Sequence, residues 1–155
     1  MITIVPYTEA TRHFVKELNY EWLEKYFSVE PNDELQLSDP QKYIIDKGGL
    51  IFYAFYNNEI AGTFSLLRVD EQTYELGKMA TTAAFQGKGI GNAMLEFCIA
   101  TAREMHVKKL ILFSNTKLEN AIHLYKKFGF YEVQLDKTLY KRSDIKMEKN
   151  LEEIN

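Results

Sequence analysis

Short β-rich runs alternate with stretches of helical period along the chain. Ile2 to Val5 is apolar and β-branched and is stopped by Pro6. Thr8 is placed to cap a helix running to about Tyr26, in which Phe14, Leu18 and Trp22 recur at i, i+4 and i+8 as one stripe. Glu30-Pro31-Asn32-Asp33 reads as a loop. Ser38-Asp39-Pro40-Gln41 reads as a capping box for a short helix ending at Gly48-Gly49. Leu50 to Tyr56 and Ile60 to Val69 predict a hairpin around the turn pair Asn57-Asn58. Thr73 to Thr81 is the third strand of this meander, and Gly77 inside it marks a bulge or a close backbone approach.

After Phe85-Gln86-Gly87-Lys88-Gly89-Ile90-Gly91 a helix runs to about His106, with Ile90, Met94, Phe97 and Cys98 or Ala102 on its inner stripe. Leu110 to Phe113 is a continuous apolar run, the pattern of a central strand. Thr116-Lys117-Leu118-Glu119 fits a capping box for a helix ending at Phe128-Gly129. Phe130 to Leu135 and Leu139 to Met147 close the chain as two strands. The order βααβββαβαββ predicts a mixed α/β sheet with helices on its faces.

Length and composition add limits. The 155 residues, 46% of them hydrophobic, suffice for one domain over 1–155 with a core that needs no disulfide or metal. The lone cysteine, Cys98, lies in an apolar run and reads as a small buried hydrophobe. A net charge of −3 supplies no overall basic field for nucleic acid. His13, His106 and His123 lack ligand spacing, which predicts no metal site. No run is long and apolar enough to span a membrane, and the first residues carry neither a basic leader nor a cleavage site, so the expected address is the cytoplasm.

The chemistry concentrates in residues 86–91. A glycine-rich loop between a strand and a helix exposes backbone N–H groups at the positive end of a helix dipole, a site for phosphate oxygens. Gly87, Gly89 and Gly91 allow close approach, and Lys88 adds a charge. Two phosphate signatures fail. Gly89 follows Gly87-Lys88 where a nucleotide P-loop needs a hydroxyl residue, and Asn92 or Met94 stands where a dinucleotide fingerprint needs its last glycine.

Gln86, Gly89 and Gly91 do satisfy Gln/Arg-x-x-Gly-x-Gly/Ala. With Tyr74-Glu75-Leu76-Gly77-Lys78-Met79-Ala80-Thr81 before them and the Ala121, Leu124-Tyr125, Gly129-Phe130 spacing after them, the chain resembles the GNAT superfamily of N-acetyltransferases. The resemblance covers about residues 50–135. It implies a mostly antiparallel sheet of six to seven strands whose fourth and fifth strands splay apart, with acetyl-CoA as acyl-donor cosubstrate and a primary amine as acceptor. It further implies that Gly87 to Asn92, Ile90 among them, bind the pyrophosphate with Gln86 and Lys88, and that Met79, Ala80 and Thr81 line the pantetheine arm. Tyr125 becomes the acid that protonates the leaving thiolate. Glu75 matches a position where some members keep a base, and an ordinary solvent-facing carboxylate is an equal reading. Strand alternation puts Glu75, Gly77, Met79 and Thr81 on one face. Leu118 occupies the place of a cofactor-contacting asparagine, with Asn115 and Asn120 beside it as substitutes.

Tyr20, Trp22, Tyr26, Phe27 and Glu30 are candidate walls for the acceptor, which is a small molecule or a peptide. Lys108-Lys109 and Lys126-Lys127 form either a basic rim at the cofactor or solvated faces. Many relatives form homodimers, and the Leu139 to Met147 strand would offer the edge. A non-catalytic acyl-CoA-binding or sensory module on the same fold is the second functional class.

Overall fold

The β-rich runs pair into one seven-stranded sheet, seen in a computed structural model that describes residues 1–136 and 140–151. The strands are β1 (Ile2–Pro6), β2 (Leu50–Tyr56), β3 (Glu59–Arg68), β4 (Thr73–Thr81), β5 (Lys109–Ser114), β6 (Tyr131–Val133) and β7 (Ile145–Asn150). Their spatial order is β1-β2-β3-β4-β5-β7-β6, antiparallel throughout except for β4 and β5. The helices are α1 (His13–Tyr26), α2 (Pro31–Ser38), α3 (Ile90–Glu104) and α4 (Glu119–Lys127). The element order is the one the sequence pattern predicts.

Local chemistry explains most boundaries. Asn57 and Asn58 both take positive φ (48° and 71°), the twist of a tight hairpin, so β2 and β3 pair from Tyr56 against Glu59. The interior of β3, from Ala61 to Leu66, is buried on both faces, as befits a strand covered by helices on each side. On one face α3 presents Ile90, Met94, Leu95, Cys98 and Ala102 to Phe64, Leu66 and Leu76. On the other, Val15 and Leu23 of α1 and Leu37 of α2 pack on Ile51 and Tyr53.

Several predicted features differ. Pro31 does not sit in a loop but at the first turn of α2, where its missing N–H costs no hydrogen bond. The predicted box at Ser38 is therefore the end of α2, followed by a π-helical turn over Gln41–Ile45. The inner stripe of α1 is rotated: Val15, Leu18 and Leu23 are buried, while Phe14 and Trp22 lie at its flank, partly buried. Thr116 caps no helix, because its N–H and hydroxyl both go to the Asp144 carboxylate at 2.8 Å. The final strand is β7, and it pairs on both sides, so the sheet edge belongs to β6. Leu139, the predicted start of that strand, lies outside the described residues. No helix among the described residues is long and apolar enough to cross a membrane.

Phe64 stacks on Phe52 at 5.4 Å and meets Phe97 edge-on at 6.5 Å, with no exposed surface. Phe64→Ala should cost about 3–5 kcal/mol, read as a lower urea midpoint with the slope unchanged.

Candidate active site

The sheet is divided at its middle. β4 and β5 pair in parallel only over Thr73 to Glu75 against Lys109 to Ile111. Beyond Glu75, β4 pairs with β3 alone and β5 with β7 alone. The cause is a bulge. Ser65 faces Gly77 and Thr63 faces Ala80, so Lys78 and Met79 together oppose the single residue Phe64. Lys78 carries the left-handed backbone, φ 52°. Gly77, where the sequence pattern places the bulge, is not left-handed. Its missing side chain has another use: a Cβ there would lie 3.2 Å from Glu75 Oε2 and 3.1 Å from Leu67 Cδ1. The bulge also breaks the predicted alternation. Glu75 and Gly77 face α1 and α2, whereas Thr81, paired with Gly62, faces α3.

A lysine does not adopt this backbone readily, so something must hold it. Lys78 Nζ donates to Asp33 Oδ1 at 2.9 Å and to the Tyr140 hydroxyl at 3.2 Å, and its side chain is almost fully buried. Asp33, itself fully buried, also accepts both Arg142 guanidinium nitrogens at 2.6 and 2.8 Å and the Glu30 N–H at 3.0 Å. Arg142 reaches Glu30 Oε2 at 3.3 Å. Burial alone would raise the Asp33 carboxyl, but the Arg142 hydrogen bonds and the Lys78 charge outweigh it and leave it at about 2. Burial draws the Lys78 ammonium down, and Asp33 opposes the shift.

Into the gap between β4 and β5 opens a cleft of about 130 Å³, walled by Trp22, Phe27 and Phe113 and floored by Glu75, Gly77 and Tyr125. Glu75 enters from the α1/α2 face and Tyr125, on α4, from the α3 face. Protein surrounds the Glu75 carboxyl except toward the cleft. That burial raises it to about 7, against the pull of Lys78 and Arg142. Burial pushes the Tyr125 phenol up to about 12, so it holds its proton at neutral pH. Its ring packs edge-on against Phe130 at 6.0 Å.

A second, larger groove of about 640 Å³ adjoins the cleft, and Met79, Leu118, Ala121 and Tyr125 line both. Its walls include Ala80 and Thr81 at the end of β4 and Gln86, Gly87, Gly89, Ile90, Gly91 and Asn92 at the start of α3. Gly87 and Gly89 have φ of 80° and 82° with open space above them, while a Cβ on Gly91 would meet Leu124 Cδ2 at 3.2 Å. The left-handed loop and the first turn of α3 line the groove, and the first N–H groups of a helix have no acceptor within it. The first helical bond is Ala93 N–H to Gly89. Such a groove can take an anion at one end and pair an extended chain with the freed edge of β4 along its length.

The other predicted residues separate. Asn120 lines the groove, whereas Asn115 lines the cleft and donates to the Arg142 carbonyl at 2.7 Å. Lys88 is exposed and does not line the groove. Of the basic pairs, Lys127 reaches Asn92 at 3.0 Å, but Lys109 sits where β4 and β5 still pair and is ion-paired with Glu148 at 3.6 Å. Among the proposed acceptor walls Trp22 and Phe27 line the cleft, Tyr26 lines the groove, Glu30 serves Arg142, and Tyr20 touches neither cavity. Sequence reasoning misses Asp33, Lys78, Tyr140 and Arg142. Lys78 leaves a trace, since it falls in the buried register Tyr74, Leu76, Lys78, Ala80. Among the described residues no cluster could hold a metal ion.

Residues 15–130 match the model of the acetyltransferase (GNAT) family. An uncharacterized N-acetyltransferase of Bacillus subtilis, YvbK, is 28% identical over 132 residues, covering 81% of this chain and 85% of the relative. An acetyltransferase of the GNAT family from Staphylococcus aureus superposes with a TM-score of 0.87 at 21% identity, covering 98% of this chain and all of the other. A GNAT family acetyltransferase from Elizabethkingia anophelis with acetyl-CoA bound does so with a TM-score of 0.66 at 28% identity, covering 97% and 98%.

The depressed Asp33 carboxyl has a consequence for acid stability. Its contribution should be complete above about pH 4 and disappear as pH falls through about 2, a loss of roughly 2 kcal/mol. Urea unfolding of the wild type at stepped pH should show this slope, and Asp33→Asn should lack it.

Proposed function

The chain belongs to the GNAT acetyltransferase family, and on that premise we propose that it moves an acetyl group from acetyl-CoA, as acyl-donor substrate, to a small primary amine. The observation that carries the proposal is the junction of groove and cleft, where Tyr125 and Glu75 approach from opposite faces of the parted sheet. The donor's pyrophosphate would take the N–H groups of residues 87–92. Its pantetheine arm would pair with β4 along Met79 to Thr81, and of Asn115 and Asn120 it is Asn120 that stands on the groove wall to contact it. The acetyl group would then reach the cleft beside Tyr125.

The residues divide the chemistry. An amine enters water-borne as its ammonium and is not nucleophilic until it loses a proton. Glu75, ionising at about 7, is a base matched to neutral pH and can take that proton. The nitrogen then forms a bond to the thioester carbon while the C–S bond breaks. The Tyr125 phenol donates to the departing sulfur, and the nitrogen sheds its second proton as it becomes the amide, which restores the phenol. Burial pushes the phenol up to about 12, so Tyr125 keeps its proton until a strong base such as the departing thiolate forms beside it. The small cleft with aromatic walls suits a compact amine, since Lys78 and Arg142 are already matched by Asp33 and Glu30.

Thiol release from acetyl-CoA with a panel of small primary amines tests this directly. kcat/KM should rise with pH through an apparent value near 7, and Glu75→Gln should lose that limb. Tyr125→Phe should lower kcat by ~10²–10⁴-fold while acetyl-CoA still binds. A protein that binds acetyl-CoA but releases no thiol with any amine would be the non-catalytic module instead.

A further inference from the structure

Glu75 shares the cleft with two cations, yet neither bonds to it. Lys78, three residues along the same strand, carries its charge to Asp33, and Arg142, from the segment before β7, does the same. We infer that Asp33 is a positioning residue that holds Lys78 and Arg142 away from Glu75, leaving that carboxyl unpaired for an incoming ammonium group. The inference rests on the reading of Glu75 as the base, but its test does not depend on turnover.

The geometry supports it in two ways. Asp33 is fully buried and accepts four hydrogen bonds, three of them from these two cations. A buried carboxylate with so many partners anchors flexible side chains strongly, because releasing them would leave a buried charge unmatched. The cation side chains are also fixed by rings: Tyr140 lies 4.6 Å from Lys78 Nζ and 4.5 Å from the Arg142 guanidinium, which also lies 5.8 Å from Trp22. Among the described residues, the charged or titratable groups around Glu75 come from four elements: Lys78 on β4, Asp33 on α2 with Glu30 at its start, Tyr140 and Arg142 before β7, and Tyr125 on α4. Without Asp33 the nearest carboxylate left for Lys78 in the cleft is Glu75. The pair that formed would hold Glu75 ionised but occupied, useless as a base.

The experiment is a titration of the Glu75 carboxyl carbon by NMR in protein labelled with ¹³C-glutamate, assigned with Glu75→Gln. Asp33→Asn should lower the Glu75 midpoint by about one pH unit or more. Lys78→Gly should raise it; glycine accepts the left-handed backbone at this position, so the bulge survives the loss of the charge. Opposite displacements establish the role. Midpoints that stay put, or move the same way in both variants, overturn it. Should Asp33→Asn fail to fold, Lys78→Gly decides alone, since an unmoved or lowered midpoint contradicts the inference. If Glu75 titrates as expected but Glu75→Gln keeps the wild-type pH–rate limb, the reading of Glu75 as base fails while the positioning role stands.

Discussion

One ion pair, Lys78 with Asp33, underlies the rest of this molecule. Buried ion pairs are poor sources of stability, because desolvation cancels much of their attraction. Here the pair does geometric work. It pins a non-glycine residue in the left-handed region at the β4 bulge, a conformation that costs roughly 1–2 kcal/mol. From that bulge follow the parting of β4 and β5, the free edge of β4, and the reversal of its alternation beyond Lys78. It also ties the first half of the chain to the last, since Arg142 closes on the same carboxylate.

The two cavities are consequences of this parting. The groove needs an open β4 edge and an uncrowded helix start, and Gly87 and Gly89 supply the second condition with positive φ and no side chain above them. The cleft needs a passage through the sheet, so that Glu75 from one face and Tyr125 from the other share one space. An unbroken β4–β5 ladder would separate those groups by the thickness of the sheet. Gly77 contributes by what it lacks, giving the Glu75 carboxyl room against the strand backbone.

Much of this is legible in local signals. The Asn57-Asn58 turn, the loop over 86–91 and the order of elements depend on residues close in sequence, whose backbone preferences are strong. The failures have a common origin in long-range partners. Thr116 has the look of a cap, but Asp144, far along the chain, takes both its donors. Pro31 has the look of a breaker, yet a proline is equally at home as the first residue of a helix, and the short α2 after it carries only a weak apolar stripe to announce itself. The local pattern puts the bulge one residue early, since glycine is the usual left-handed residue and only Asp33 makes a lysine acceptable there. For the same reason simple alternation assigns Thr81 to the Glu75 face, and the ion network of Asp33, Lys78 and Arg142 leaves no local signature.

The central claim is that the parted strands and the glycine loop form a single site for acetyl-CoA. Amide hydrogen exchange with and without saturating acetyl-CoA tests it at the level of individual segments. Bound acetyl-CoA should slow exchange in two places together, along β4 from Leu76 to Thr81 and in residues 87–92, with the β1–β2 ladder unchanged. Exchange unaltered in both segments at millimolar acetyl-CoA would contradict it.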